Sequence, residues 1–196
     1  MKVFTVHLSS QDGSPYQSGK HVCSDTVSGE SPDAREKRTW SERASYDLAT
    51  RKMFIPGIAF KKALETAASF LNMKIQGQRN ATWKKHFLAG VQVFESLSLP
   101  VTVEDVAGSW VYVPSDGKRG GGTRVMRCFP TVPQWEGDVK FTILDDLITE
   151  EIFLTHLQAA GNFTGVGVFR PEKGGSHGRF KIVSCTKTYD DNPLAK

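Results

Sequence analysis

The sequence is poor in cysteine. Its three cysteines, Cys23, Cys128 and Cys185, are odd in number, far apart, and have no second Cys or His at metal-ligand spacing. This pattern disfavours a disulfide scaffold and a zinc ribbon. We therefore expect a reduced, cytoplasmic protein with no metal ion and no cofactor.

Several other signatures are missing from the sequence. The opening residues lack the apolar core of a signal peptide, and no run approaches the roughly 18 apolar residues of a membrane span. The phosphate loop and the dinucleotide fingerprint are absent. Asp145-Asp146 and Glu150-Glu151 flank an expected helix start, where capping explains them better than a metal cluster does. We expect no membrane partner.

The composition is that of a folded domain. The chain has 196 residues, of which 39% are hydrophobic and 23% charged, so we expect a single domain over residues 1–196. The net charge is +4, and its distribution is uneven. The window Ile55–Glu95 holds six basic and two acidic residues, while the rest balances 19 basic against 19 acidic residues. A localised basic excess permits a nucleic-acid partner without requiring one.

Hydrophobic periodicity predicts the first half of the fold. Alternation over residues 3–8 predicts a strand, and residues 9–43 form a polar insertion that is too poor in aliphatic residues to bury a face. Apolar residues at intervals of three and four from Phe60 to Leu71 predict an amphipathic helix. Phe87–Leu99 is interpreted as a strand pair, and Trp110–Phe129 as a hairpin with a basic, glycine-rich tip.

The final third predicts a strand, a helix and another strand. Residues 139–144 alternate, Thr149 is placed to cap a helix ending at Gly161, and Phe180–Ser184 is the last strand. Together these elements predict an α+β fold, with a ferredoxin-like or RRM-like palm that carries β insertions.

Two segments stand out as candidate sites. Six glycines between Gly161 and Gly178 let backbone approach a ligand, although tight turns are the commoner use of such glycines. In the second segment, Arg51, Lys52, Lys61 and Lys62 surround the start of the predicted helix. Cations there oppose the helix dipole, which favours an external anion; a solvated basic face explains them equally well.

These two segments together resemble the RAMP superfamily of CRISPR-associated proteins. Ile55-Pro56-Gly57 followed by Lys61 or Lys62, Ala63 and Leu64 is similar to the first helix of that superfamily. The C-terminal glycine loop of the superfamily is similar to a second segment of this chain. That segment begins Gly165-Val166-Gly167-x-x-Arg170 and ends near Gly178-Arg179-Phe180. Within the superfamily the chain is most like the Cas-seven family, whose members form a backbone along a guide RNA.

The resemblance implies a partner, an assembly and a set of site residues. It implies single-stranded RNA as ligand, copies of the chain along that RNA, and other subunits of a ribonucleoprotein. It also implies a finger-like insertion at 9–43 and a thumb-like hairpin at 110–129. The implied contacts are Arg51, Lys52, Lys61, Lys62, Lys118, Arg119, Arg124, Arg170, His177 and Arg179, with Gly165, Gly167, Gly174, Gly175 and Gly178 forming the loop. Trp40, Trp83 and Phe169 are candidates for stacking on bases.

Alternatives to a non-catalytic role stay open. RNA-slicing relatives carry an Asp where this chain has Ser41, with Asp33 or Glu36 as substitutes nearby. Guide-processing endoribonucleases of the superfamily use histidine, for which His177 or His21 is the candidate. A phage or mobile-element protein that imitates a CRISPR subunit is a third interpretation.

Overall fold

The computed structural model describes residues 1–11, 13–115 and 122–189. The strands are β1 Lys2–Ser10, β2 Tyr16–Gln17, β3 Lys52–Ile55, β4 Val91–Gln92, β5 Leu97–Thr102, β6 Ala107–Pro114, β7 Arg124–Val132, β8 Glu136–Ile143 and β9 Phe180–Tyr189. The α-helices are α1 Pro32–Thr39, α2 Gly57–Leu71, α3 Lys84–Gly90 and α4 Glu150–Ala159. Short helical turns occupy Trp40–Arg43, Ala160–Thr164 and Pro171–Lys173.

The central sheet has the ferredoxin-like strand order. Its four strands lie in the order β4-β8-β1-β9, and neighbours are antiparallel. Along the chain, β1, α2, β4, β8, α4 and β9 therefore form a βαββαβ unit. A segment containing α1 is inserted between β1 and α2, and the β6–β7 hairpin between β4 and β8. The predicted α+β fold with β insertions is confirmed.

The core lies between the sheet and the two long helices. Phe4, on β1, stacks on Phe153 of α4 with ring centroids 4.7 Å apart, and Phe60 of α2 meets Phe180 edge-on at 5.9 Å. All four rings are fully buried. Large aromatic side chains bury much apolar area each, so these contacts fix both helices on one face of the sheet.

The opposite face of the sheet is polar. Val3, Thr5 and His7 alternate with the core residues of β1 and are half-buried. Thr5 is flanked by Lys140 on β8 and Thr186 on β9. RRM sheets stack bases on aromatic side chains at such positions. Thr5 and these two neighbours carry no aromatic ring, so the centre of this face offers no platform of that kind.

Helix α2 begins where the sequence predicts. Pro56 precedes it in an extended conformation, and a Cβ at Gly57 would lie 2.5 Å from the carbonyl oxygen of Glu95. Only glycine lets the start of the helix come this close to the backbone at Glu95. The helix ends at Leu71, and the next residue, Asn72, has a left-handed backbone and donates its N–H to the Ala68 carbonyl.

The hairpin and the capped helix are also confirmed. Strands β6 and β7 pair from Ala107↔Thr131 to Pro114↔Arg124, and Thr149 accepts a hydrogen bond from the Ile152 amide at the start of α4. The predicted hairpin tip, residues 116–121, lies outside the described residues.

Three expectations need correction. Phe87 belongs to α3, and the strands after it, β4 and β5, pair with β8 and β3 rather than with each other. Gly161 does not cap α4, because the chain continues in a π-helical turn to Thr164 before Gly165 turns left-handed. The polar insertion at 9–43 contributes a strand and a helix, and it buries polar side chains such as Glu36 and Thr39.

Candidate nucleic-acid interface

The glycine loop, residues 165–178, folds back on itself. The Val166 amide donates to the Gly178 carbonyl at 2.9 Å, and the His177 amide to the Phe169 carbonyl at 3.0 Å. The Gly178 amide in turn donates to the Pro15 carbonyl at 2.9 Å, which ties the loop to the segment after β1. These amides are used within the protein and are not available to a ligand.

The loop glycines make room for backbone. A Cβ at Gly175 would lie 1.7 Å from the Phe169 carbonyl oxygen, and one at Gly178 the same distance from that of Val166. Positive φ angles add a second requirement at four of the five predicted glycines, namely Gly165, Gly167, Gly174 and Gly178. The loop is therefore a tightly packed scaffold, and a role of its glycines in binding stays a prediction.

A cleft of about 330 Å³ separates this loop from the first turns of α2. Lys62 and Arg170, two residues predicted from separate segments, both line it. The remaining lining groups are Ile58, Ala59, Ala63, Thr66, Thr164, Gly165, Val166, Gly167 and Glu172. The fold thus brings together the two sequence motifs on which the resemblance rests.

The two cations of the cleft differ in exposure. Arg170 donates to the Glu172 carboxylate at 2.8 Å and to the Gly167 carbonyl at 3.0 Å, so its guanidinium is held in place. Lys62 pairs with Glu65 at 2.6 Å, and its side chain is 63% exposed. A guanidinium held in place and an exposed ammonium are suited to holding a phosphate backbone.

Lys61 points elsewhere. Its side chain is 16% exposed and donates to the Gln92 side chain on β4 at 3.0 Å. It therefore ties α2 to the edge of the sheet.

The other predicted basic residues are spread over the surface. Arg51 pairs with Glu104 at 2.6 Å and lies over the Tyr46 ring, while Lys52, Arg124 and Arg179 are exposed. None of these four is among the described residues that line the cleft. Lys118 and Arg119 lie outside the described residues.

His177 is oriented by Gln17. The Gln17 side chain donates to the Thr131 hydroxyl at 3.0 Å, so its oxygen accepts from His177 Nδ1–H at 2.9 Å. This contact leaves Nε2 as the acceptor. Burial lowers the pKa of His177, which keeps the ring neutral at pH 7.

The stacking candidates are mostly packed against protein. Trp83 is buried, Trp40 lies against Gly108, and Phe169 meets Phe129 edge-on at 5.4 Å. More accessible rings lie on β6, where Trp110 is 43% and Tyr112 64% exposed. Sequence reasoning placed both in the hairpin but did not single them out.

A charged cluster that the sequence did not predict joins the insertion to the hairpin. Glu36 of α1 pairs with Arg43 at 2.8 Å and with Arg127 at 2.9 Å, and it accepts from the Cys128 amide at 2.9 Å. Glu36 is only 3% exposed. It is thus committed to structure, which removes it as a substitute for the slicing Asp. Asp33, the other substitute, is exposed on α1.

Asp145, in the first of the two acidic pairs, makes structural contacts. Asp145 bonds to His86 at 2.6 Å and to the Leu147 amide at 2.9 Å. Within 1–11, 13–115 and 122–189, no three His, Cys, Asp or Glu side chains gather in a metal-binding group. In the same ranges, no helix has the length and apolarity needed to cross a membrane.

No model of a known protein family matches the chain, and no curated protein matches its sequence significantly. Among solved structures, the chain is similar to one from the type III-B Cmr-beta bound to cognate target RNA, with a TM-score of 0.55 and 11% identity. The match covers 95% of this chain and 60% of that one, so this chain spans less than two thirds of its length.

A second match is to a chain of a CRISPR RNA-guided surveillance complex. It has a TM-score of 0.38 and 10% identity, and it covers 97% of this chain and 72% of that one. This likeness is too weak to support an inference. The first match shows that this chain shares its fold with a chain of the type III-B Cmr-beta.

Proposed function

We propose that the chain is a non-catalytic subunit of a CRISPR-type ribonucleoprotein that binds single-stranded RNA in the cleft between α2 and the glycine loop. The observation that carries the proposal is the convergence of Lys62 and Arg170, from two distant segments, on that cleft. Backbone recognition of a single strand needs such cations beside a groove. The fold shared with a protein of an RNA-bound CRISPR assembly supports the same function.

The wider surface extends the proposed path. Arg179 and Arg124 are exposed beyond the cleft, and Lys118 and Arg119 belong to the predicted hairpin tip. We assign residues 9–43 as a finger-like insertion and residues 110–129 as a thumb-like hairpin. Copies of the chain along one RNA, and other subunits of the complex, are the partners we propose.

The test is the affinity for unstructured RNA, measured by fluorescence anisotropy over a range of salt concentrations. We expect Lys62→Gln together with Arg170→Gln to weaken binding about a hundredfold or more, since each of the two charged contacts contributes about 1.5–3 kcal/mol. The slope of log K against log salt should fall by about 0.7 per lost phosphate contact.

The control is Lys84→Gln together with Lys85→Gln, which removes the same number of positive charges from two exposed lysines of α3. Equal weakening in this control, or unchanged affinity in the cleft variant, contradicts the assigned cleft. A different result would point to catalysis. If the protein cleaves a hairpin RNA and His177→Ala abolishes that cleavage, the chain is a guide-processing endoribonuclease. His177 Nε2 is the atom that would accept the proton.

A further inference from the structure

A second pocket lies between α1 and β7. Its volume is about 230 Å³, and three arginines from separate parts of the chain line it: Arg35, Arg43 and Arg127. The other lining groups are His21, Val22, Glu36 and Thr39. We call this the arginine pocket.

The arginine pocket has an excess of positive charge. Arg35, Arg43 and Arg127 carry guanidinium groups, which stay protonated in proteins. Glu36 supplies one negative charge. Burial tends to raise the pKa of Glu36, but the Cys128 amide and the guanidinium groups of Arg43 and Arg127 outweigh it and leave the pKa below its ordinary value. One carboxylate thus faces three cations.

Some donors in this pocket have no acceptor within the described part of the chain. The Nε atoms of Arg35 and Arg43 are buried and lack a hydrogen-bond partner there. Arg35 uses a terminal nitrogen to donate to the Ser24 carbonyl at 2.8 Å. Buried donors without acceptors and excess buried charge both cost free energy. An anion bound in the pocket would offset the excess charge, and it would supply acceptors to the two Nε–H groups once the guanidinium groups rotate toward it.

We propose that the arginine pocket binds a phosphate group. Guanidinium groups match the oxygen pairs of a phosphate, and 230 Å³ is ample space when a water in the liquid occupies about 30 Å³. The phosphate is either an internal phosphodiester of a nucleic-acid strand or a terminal or free phosphate. This site shares no lining residue with the α2–loop cleft, so it does not rest on the proposed function.

The first experiment uses inorganic phosphate and the full chain. We expect a saturable shift of the arginine Nε–H NMR signals of Arg35 and Arg43, and Arg35→Gln should weaken phosphate binding about tenfold. Arg35 is chosen because it donates to Ser24, so its replacement spares the bonds to Glu36. Lys37→Gln removes the same charge from an exposed position of the same helix, and it should change affinity less than twofold.

The second experiment identifies the source of the phosphate. Short single-stranded RNAs with and without a 5′-phosphate compete against inorganic phosphate. If both RNAs displace inorganic phosphate, the pocket binds internal phosphodiesters. If only the 5′-phosphorylated RNA displaces it, the pocket binds a terminal phosphate. If neither RNA displaces it, the pocket binds free phosphate. No saturable response to phosphate, or equal loss in Lys37→Gln, overturns the proposal. Lys62→Gln with Arg170→Gln should leave phosphate binding unchanged, which separates this site from the cleft.

Discussion

Gly178 lies at a point of the loop where no side chain fits. Its φ angle is +68°, and an added Cβ would lie 1.7 Å from the Val166 carbonyl oxygen. We expect Gly178→Ala to lower the free energy of unfolding by more than about 2 kcal/mol, because strained dihedrals and a backbone clash combine. Urea unfolding followed by circular dichroism measures this loss.

Gly13 is the matched control for that substitution. It has the same φ of +68°, but nothing lies within 4 Å of the Cβ that alanine would add. Gly13→Ala should therefore cost only the left-handed backbone strain, about 1 kcal/mol. If the two variants lose the same stability, the close contact at Gly178 is not what requires glycine there.

Lys61 and Lys62 show how neighbouring residues in one motif separate in structure. The sequence predicts a shared RNA-binding role, and charge reversal of both would be the obvious test. Lys61 is largely buried and bonds to Gln92, so a carboxylate there would approach Glu65 and disturb packing. Lys62 is the one of the pair whose replacement reports on binding.

At the scale of elements, Glu36 joins α1 to β7. Removing its charge leaves Arg43 and Arg127 without a carboxylate, and breaking a buried pair from one side costs about 3 kcal/mol. We expect Glu36→Gln to lose about this much stability at pH 7, measured by urea unfolding.

The same substitution has a pH signature. The folded-state pKa of Glu36 lies below its ordinary value of 4.5, so the stabilisation is present above pH 4.5 and is lost as the pH falls through the folded value. The stability difference between wild type and Glu36→Gln should therefore shrink from pH 7 to pH 3. Other carboxylates titrate equally in both proteins and cancel. A constant difference would mean that Glu36 is not ionised in the folded protein.

The sequence predicts elements with strong periodicity and misses those decided by tertiary contacts. The α2 pattern, the Thr149 cap and the strand at residues 3–8 are local signals, and they are confirmed. Phe87 joins α3 although its apolar neighbours suit a strand equally well. The Glu36 cluster joins residues far apart in the chain, so no local pattern reveals it. The sequence predicts the two motifs that line the cleft. It does not predict that they lie side by side, because that depends on the fold.

The charge of the whole molecule is relevant to assembly. Outside Ile55–Glu95 the chain is balanced, with 19 basic and 19 acidic residues. Copies bound side by side along an RNA would therefore repel each other weakly. We expect the number of bound copies to rise stepwise with RNA length, as measured by mass photometry. Binding of one copy to RNAs of every length would contradict a backbone-type assembly, and the protein without RNA is the control.

The bond from the Cys128 amide to Glu36 also bears on aggregation. Strand β2 covers β7 only at Thr131 and Val132, which leaves the stretch nearer Arg124 as an open strand edge. Open edges attract strands of other molecules. Because Glu36 occupies the Cys128 amide and Arg127 lies beside it, a neighbouring strand cannot pair there without displacing a buried carboxylate. The insertion thus shields the hairpin from edge-to-edge association while its outer aromatic face stays accessible.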